Sequence, residues 1–172
     1  MSYKIFGTSR KTFWRGFCGF SHIEGMVDVS SKTASTRSAT ALCRISFPSR
    51  IIETIFHPSN NLNFKGNILH TARIAGVMGA KRTAELIPLC HQIPLSQVTI
   101  DIVREDERTV KISGTAKAIN QTGVEMEALT AVSISALTLY DMTKSAIKGS
   151  NDTIIIQDIR LVSKTGGSFN FS

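Results

Sequence analysis

The pattern of apolar and polar positions reads as strand along four stretches of this chain and takes helical spacing along three others. Over residues 36–47 the alternation is loose, with Ala39, Ala41, Cys43 and Ile45 on one face, and predicts a first strand. Residues 97–104 alternate cleanly, Val98, Ile100 and Ile102 sharing a face. Glu105-Asp106-Glu107-Arg108 then makes a charged turn, and 110–119 return as the second arm of a hairpin. Past a loop at Gly149-Ser150-Asn151-Asp152, residues 154–162 read as a last strand, and Gly166-Gly167 opens a flexible end. Between the strands, Pro48-Ser49 starts a short helix over 50–56, ended by His57-Pro58-Ser59-Asn60-Asn61. A second helical segment covers 66–87. Ile68, Leu69, Ala72, Ala75, Gly76, Gly79 and Ala80 give it a narrow, small-residue face suited to close packing, and Pro88 stops it.

The longest helical pattern, 123–144, organises the rest. Its interior, 128–140, carries no charge, while its ends carry Glu125, Glu127, Asp141 and Lys144. A helix apolar nearly all round is usually buried. Glu127 and Asp141 are 14 residues apart, so they share a face within about 40° yet stand roughly 21 Å apart along the axis. One small-molecule pocket does not easily touch both. If both ends are functional, the simplest solution is a second copy of the chain, antiparallel across a two-fold axis, so that each site joins the start of one helix to the end of the other.

Strand, helices, strand-turn-strand, helix, strand is a βαββαβ order. It predicts an α+β sandwich, an antiparallel sheet with helices on one face. The 172 residues suit one domain with a proper core, here 25–172, preceded by a flexible basic leader over 1–24. That leader matters for the charge. Of the net +7, residues 1–20 supply +4 through Lys4, Arg10, Lys11 and Arg15, so the excess argues weakly for nucleic acid and leaves room for anionic small substrates. The leader is expected to be an extension of a cytoplasmic protein. Its Ser, Thr and Phe content makes an organellar transit peptide the alternative. No apolar run reaches the roughly 18 residues that span a bilayer. Cys18, Cys43 and Cys90 share no Cys-x-x-Cys spacing, which argues against a disulfide framework or zinc site and for a reducing compartment.

Four places carry candidate chemistry. Pro88-Leu89-Cys90-His91 follows the second helix; a cysteine next to a histidine in sequence is not thereby a dyad, since such pairs meet in space. Lys65-Gly66 stands at the mouth of that helix, where a lysine and free backbone N–H groups can both meet a phosphate. Glu125 and Glu127 open the long helix, diverging by about 160°, and acids there are also favoured by the helix dipole alone. Asp141 and Lys144, at i and i+3, are a simple ion pair on the bland reading. Yet Asp141 ends an uncharged run, and a carboxylate at the edge of a buried surface can exchange protons near neutrality. Glu85 follows Lys81 and Arg82 closely enough to absorb some of their charge in a surface pair.

Taken in order, these segments resemble the MoaC family, the cyclic pyranopterin monophosphate synthases of molybdenum cofactor biosynthesis. The resemblance rests on Met26-Val27-Asp28-Val29-Ser30, Lys65-Gly66, Thr71-Ala72-Arg73-Ile74-Ala75-Gly76 and Ala80-Lys81-Arg82-Thr83. It continues through Leu86-Ile87-Pro88-Leu89-Cys90-His91, Thr122-Gly123-Val124-Glu125-Met126-Glu127-Ala128-Leu129-Thr130, Tyr140-Asp141-Met142 with Lys144, and Lys164 before Gly166-Gly167. It implies a ferredoxin-like α+β subunit, dimers assembled into a hexamer, and a site at the dimer interface. The implied substrate is (8S)-3′,8-cyclo-7,8-dihydroguanosine 5′-triphosphate, converted to cyclic pyranopterin monophosphate with release of diphosphate. No redox cofactor and no metal is implied. By the same resemblance Asp141 is the catalytic acid/base, Lys144 its partner, and Lys65 a further catalytic lysine. Leu89, Cys90, His91, Glu125, Met126 and Glu127 contact substrate, and Lys65 and Lys164 serve the phosphates or the ring-opening steps. A triphosphate needs cations, which Arg73, Lys81 and Arg82 can also supply. Two departures stand out. Gln92-Ile93 intervene before Pro94 where the family has Pro directly after Leu-Cys-His, and Ser168 stands where a second lysine is usual.

Two readings from other classes compete. A βαββαβ chain with positive charge also describes a non-catalytic RNA-binding module, but those stack bases on aromatics of the middle strands, and 97–104 and 110–119 contain none. A scaffold of the same fold predicts that loss of Asp141 leaves function intact.

Overall fold

The computed structural model describes residues 25–57 and 67–172. The basic leader over 1–24 and the Lys65-Gly66 pair lie outside these described residues. Along the chain run β1 (Ser35–Ser46), α1 (Ser49–Phe56), α2 (Ile68–Lys81), α3 (Thr83–Leu86), β2 (Gln97–Arg104), β3 (Thr109–Asn120), α4 (Glu125–Thr143) and β4 (Ile155–Thr165). A 3-10 turn, Lys144–Ile147, prolongs α4.

The sheet has the order β2-β3-β1-β4, and every neighbouring pair is antiparallel. This is the ferredoxin-like arrangement. The alternation of β1 sets its two faces. Ala39, Ala41, Cys43 and Ile45 point inward and are all but fully buried, as is Phe47 just beyond the strand, while Thr40 on the other face pairs its hydroxyl with that of Thr115 at 2.9 Å. Across the hairpin, Asp106 Oδ1 accepts from the backbone N–H groups of Arg108 and Thr109, each at 2.7 Å. An aspartate that bonds its own turn in this way fixes the strand register.

Helices α2 and α4 cover the inner face, and small residues decide how closely they meet. Ser135 Oγ donates to the Ala72 carbonyl at 3.0 Å, and a Cβ on Gly76 would stand 2.1 Å from Ser135 Oγ and 2.9 Å from the Ala131 carbonyl oxygen. Helix α4 is not buried all round. Val132, Ala136 and Leu139 are in the core, whereas Leu137 is 55% and Tyr140 38% exposed.

The expected helix over 66–87 is two helices. Asn67 caps the first, its Oδ1 accepting from the His70 N–H at 3.0 Å. The chain breaks at Arg82 (φ −108°, ψ 15°), where the buried Thr83 hydroxyl donates to the Ala80 carbonyl at 3.0 Å. A β-branched hydroxyl that bonds back to the preceding turn competes with the helical ladder.

On β4 the register shifts opposite Leu42 and Arg44. Asp158 sits there in the left-handed region at φ 57°, which aspartate tolerates better than most side chains. Arg44 and Arg160 both grip its carboxylate, and Arg44 also takes Glu105 through bonds of 2.6 and 2.8 Å.

Candidate active site

The site is built where β1, β4 and the start of α4 converge. Arg37 precedes Ala39 on the inner face of β1, and Lys164 stands opposite Ala39 on β4. Arg37 is held by the last residue of β3 and the first of the loop after it. Its Nε donates to the Asn120 carbonyl at 3.1 Å and its Nη2 to the Gln121 carbonyl at 3.0 Å. Lys164 Nζ lies 2.9 Å from Glu125 Oε1 and 5.6 Å from the centre of the Phe169 ring.

Two adjoining cavities open here, and Lys32, Thr122, Gly123, Glu125 and Lys164 line both. One, of about 490 Å³, adds Arg37, Ser168 and Phe169. The other, of about 480 Å³, adds Leu89, Cys90, His91, Met126 and Glu127. The first is cationic through Lys32, Arg37 and Lys164. The second is mixed, with two acids, a thiol and an imidazole. Each has the size of a small-molecule site.

The two acids of the first turn of α4 are driven apart. Burial raises Glu125, but the hydrogen bond and charge of Lys164, with Arg37 nearby, outweigh it and leave the carboxyl below its ordinary value. Glu127 is pushed up, first by burial and also by the charge of Glu125, against a smaller pull from its own backbone N–H. Burial, then the charge of Glu127, raises the Cys90 thiol too, which favours the thiol over a thiolate nucleophile. His91 Nε2 lies 2.8 Å from the Val27 carbonyl. A carbonyl only accepts, so Nε2 carries the hydrogen in this bond.

The raised Glu127 carboxyl has a consequence for stability. A carboxyl whose folded pKa lies above its unfolded value favours the folded state while protonated, and that contribution is lost as pH rises through the folded pKa. Glu127→Gln is therefore expected to gain stability relative to the wild type as pH rises above the ordinary glutamate range of about 4.3. Urea midpoints at a series of pH values measure this; parallel curves for the two proteins would contradict it.

The structure thus brings together Leu89, Cys90, His91, Glu125, Met126, Glu127 and Lys164 from the expected set. It keeps others away within one chain. Lys144 Nζ and Asp141 Oδ1 pair at 2.6 Å, both about half exposed, at the opposite end of α4 from these cavities. The hydrogen bond and charge of Asp141 raise Lys144. Arg73 donates to the Ile102 carbonyl at 3.4 Å, Arg82 lies 4.0 Å from Glu85, and Lys81 is exposed at the end of α2. None of these five lines either cavity. Lys32 and Arg37 enter the site unannounced by the motifs. The signal for Arg37 is a charge at an inward position of an alternating strand, where a hydrophobic residue is the norm. Among the described residues no three His, Cys, Asp or Glu side chains gather as a metal-ligand set, and no helix is long and apolar enough to cross a membrane.

Fold and site together define a ferredoxin-like α+β protein with a cation-lined cleft fed by acid/base side chains from the start of its long helix. The chain belongs to the MoaC family, whose model matches residues 26–167. Its relatives agree. A protein of Parvibaculum lavamentivorans named cyclic pyranopterin monophosphate synthase is 49% identical over 143 residues, 83% of this chain and 85% of that one. The mitochondrial cyclic pyranopterin monophosphate synthase of Arabidopsis thaliana is 47% identical over 83% of this chain, which spans half of it. Molybdenum cofactor biosynthesis protein 1 of Drosophila melanogaster is 45% identical over 91% of this chain, which covers 28% of that protein.

Proposed function

We propose that this chain carries out the reaction for which its relatives are named, as a lyase of molybdenum cofactor biosynthesis. The substrate is the cyclised dihydroguanosine triphosphate, and the products are cyclic pyranopterin monophosphate and diphosphate. The observation that carries this reading is the pair of adjoining cavities, cationic on one side and acid/base on the other.

The chemistry needs both. Closing a cyclic phosphate forms a new oxygen–phosphorus bond at the α-phosphate while the bond to the β-phosphate breaks and diphosphate leaves with the electron pair. Cations stabilise the growing charge on that leaving group, and Lys32, Arg37 and Lys164 are suitably disposed for it. Skeletal rearrangement needs protons taken and returned at the ring. Acid/base catalysis falls to Asp141 with Lys144, and Lys65 completes the catalytic lysines. Glu127, pushed toward holding its proton, is a second proton carrier in the same site, since acids whose environments separate them divide donor and acceptor roles. Leu89, Met126 and the Cys90 thiol face the purine-derived rings. Arg73, Lys81 and Arg82 are held in reserve for the phosphates from a second subunit.

That second subunit is part of the proposal. Asp141 and Glu127 belong to opposite ends of α4, and a head-to-tail pair of α4 helices unites them. Ile74 and Met78 on α2, with Leu137 and Tyr140 on α4, are exposed large apolar side chains of the kind such a partner would cover. Dimers then assemble into a hexamer. The acid-free start of the chain is proposed as an extension of a cytoplasmic protein; the alternative is a targeting segment, as the name of the mitochondrial relative suggests.

Incubating the purified protein with the cyclised substrate is expected to release diphosphate in step with a cyclic phosphate product. Arg37→Ala is expected to weaken inorganic pyrophosphate binding by about tenfold or more, the loss of a charge-assisted contact. No diphosphate release, and no response to Arg37→Ala, would overturn the reading.

A further inference from the structure

Gly123 lines both cavities, yet its backbone does not require a glycine. The glycines of positive φ among the described residues are Gly149 and Gly166, so an alanine fits the conformation of residue 123. What fills the place of a side chain there is the carboxylate of Glu125. A Cβ on Gly123 would lie 1.9 Å from Glu125 Oε2, 2.6 Å from Cδ and 2.8 Å from Oε1. The carboxylate is folded back over the residue two positions before it, and in that pose its Oε1 meets Lys164 Nζ at 2.9 Å. Both partners are 28% exposed, so the pair is partly shielded from solvent screening.

We infer that Gly123 is a positioning residue: the space left by its missing side chain is the seat that holds the Glu125 carboxylate against Lys164. Lys164 is then neutralised in the empty cleft and changes partner when an anionic group arrives. The inference rests on the proposed reaction only for its consequence in turnover; the seat itself is a matter of geometry. A methyl at residue 123 evicts the carboxylate and leaves the Lys164 amine without that hydrogen bond.

Amine labelling of the full chain tests this. Brief acetic anhydride treatment, with Lys117 on the exposed face of β3 as internal reference, reads the reactivity of Lys164 by peptide mass spectrometry. Gly123→Ala and Glu125→Ala are each expected to raise Lys164 labelling about three- to tenfold, the range of a broken, partly screened ion pair. The double variant is expected to match Glu125→Ala alone, because with no carboxylate there is nothing to evict. Unchanged labelling in Gly123→Ala, or an equal further increment on both backgrounds, would overturn the inference. So would a Gly123→Ala chain that unfolds even in the Glu125→Ala background. A wild-type chain that releases no diphosphate sinks the proposed reaction instead, and leaves the labelling cycle readable.

Discussion

Asp141→Ala is expected to reduce diphosphate release by about 10²–10⁴-fold, the scale of a lost acid/base group, while the protein folds and assembles normally. Stability is expected to hold because the side chain is about half exposed and its partner Lys144 is a surface lysine; such pairs contribute about 0–1 kcal/mol. Glu127→Gln is expected to be inactive for a different reason, since it removes a buried proton carrier from the cleft. The two variants then allow a sharper experiment. In the proposed head-to-tail dimer, mixing equal amounts, dissociating and reassembling makes half of the dimers hybrids, each expected to have one site with both groups intact. About a quarter of the wild-type rate is expected to return. Recovery of none would place the whole site inside one chain, and near-normal activity of Asp141→Ala alone would remove that residue from the chemistry.

The second large effect is on stability. Gly76→Val is expected to cost about 2–4 kcal/mol, seen as a fall in the urea midpoint at fixed protein concentration with little change in slope. The new side chain would begin 2.1 Å from Ser135 Oγ, 2.9 Å from the Ala131 carbonyl and 3.2 Å from Ile100 Cδ1. Ser135 can give way only by abandoning its bond to Ala72. The carbonyl cannot give way without moving α4 off α2. Gly76→Ala combined with Ser135→Ala is expected to recover part of the loss that Gly76→Ala causes alone, because the nearest obstacle is then gone. No recovery would mean that the backbone contact with Ala131 dominates.

How much of this was legible before any coordinates follows from the range of each signal. The hairpin and β1 are written in a period of two, and one face of each is buried, so the sequence pattern carries them directly. The small-residue face of α2 announced close packing, and Gly76 bears that out. The break at Arg82 was not legible, because a buried threonine hydroxyl that competes with the helical ladder looks like any other threonine. The site divides in the same way. Glu125 and Glu127 could be found from their place at the start of a helix, but not their opposite titration. That difference is made by Lys164, 39 residues away, and by the deeper burial of Glu127. Gly123 was legible as part of a motif and illegible as a seat, since an empty volume has no letter of its own.

The kink in β4 bears on the company the protein keeps. β4 is one of the two edge strands of the sheet. Lys164 is already bridged to Phe171, but an edge strand otherwise offers backbone groups to a passing chain with an extended segment to add. The wide turn of backbone at Asp158, studded with Arg44 and Arg160, interrupts that row and surrounds it with charge, so a visiting strand finds no straight template on which to zip. Straightening this margin, by deleting one residue at 158, is expected to make the enzyme prone to fibrous self-association.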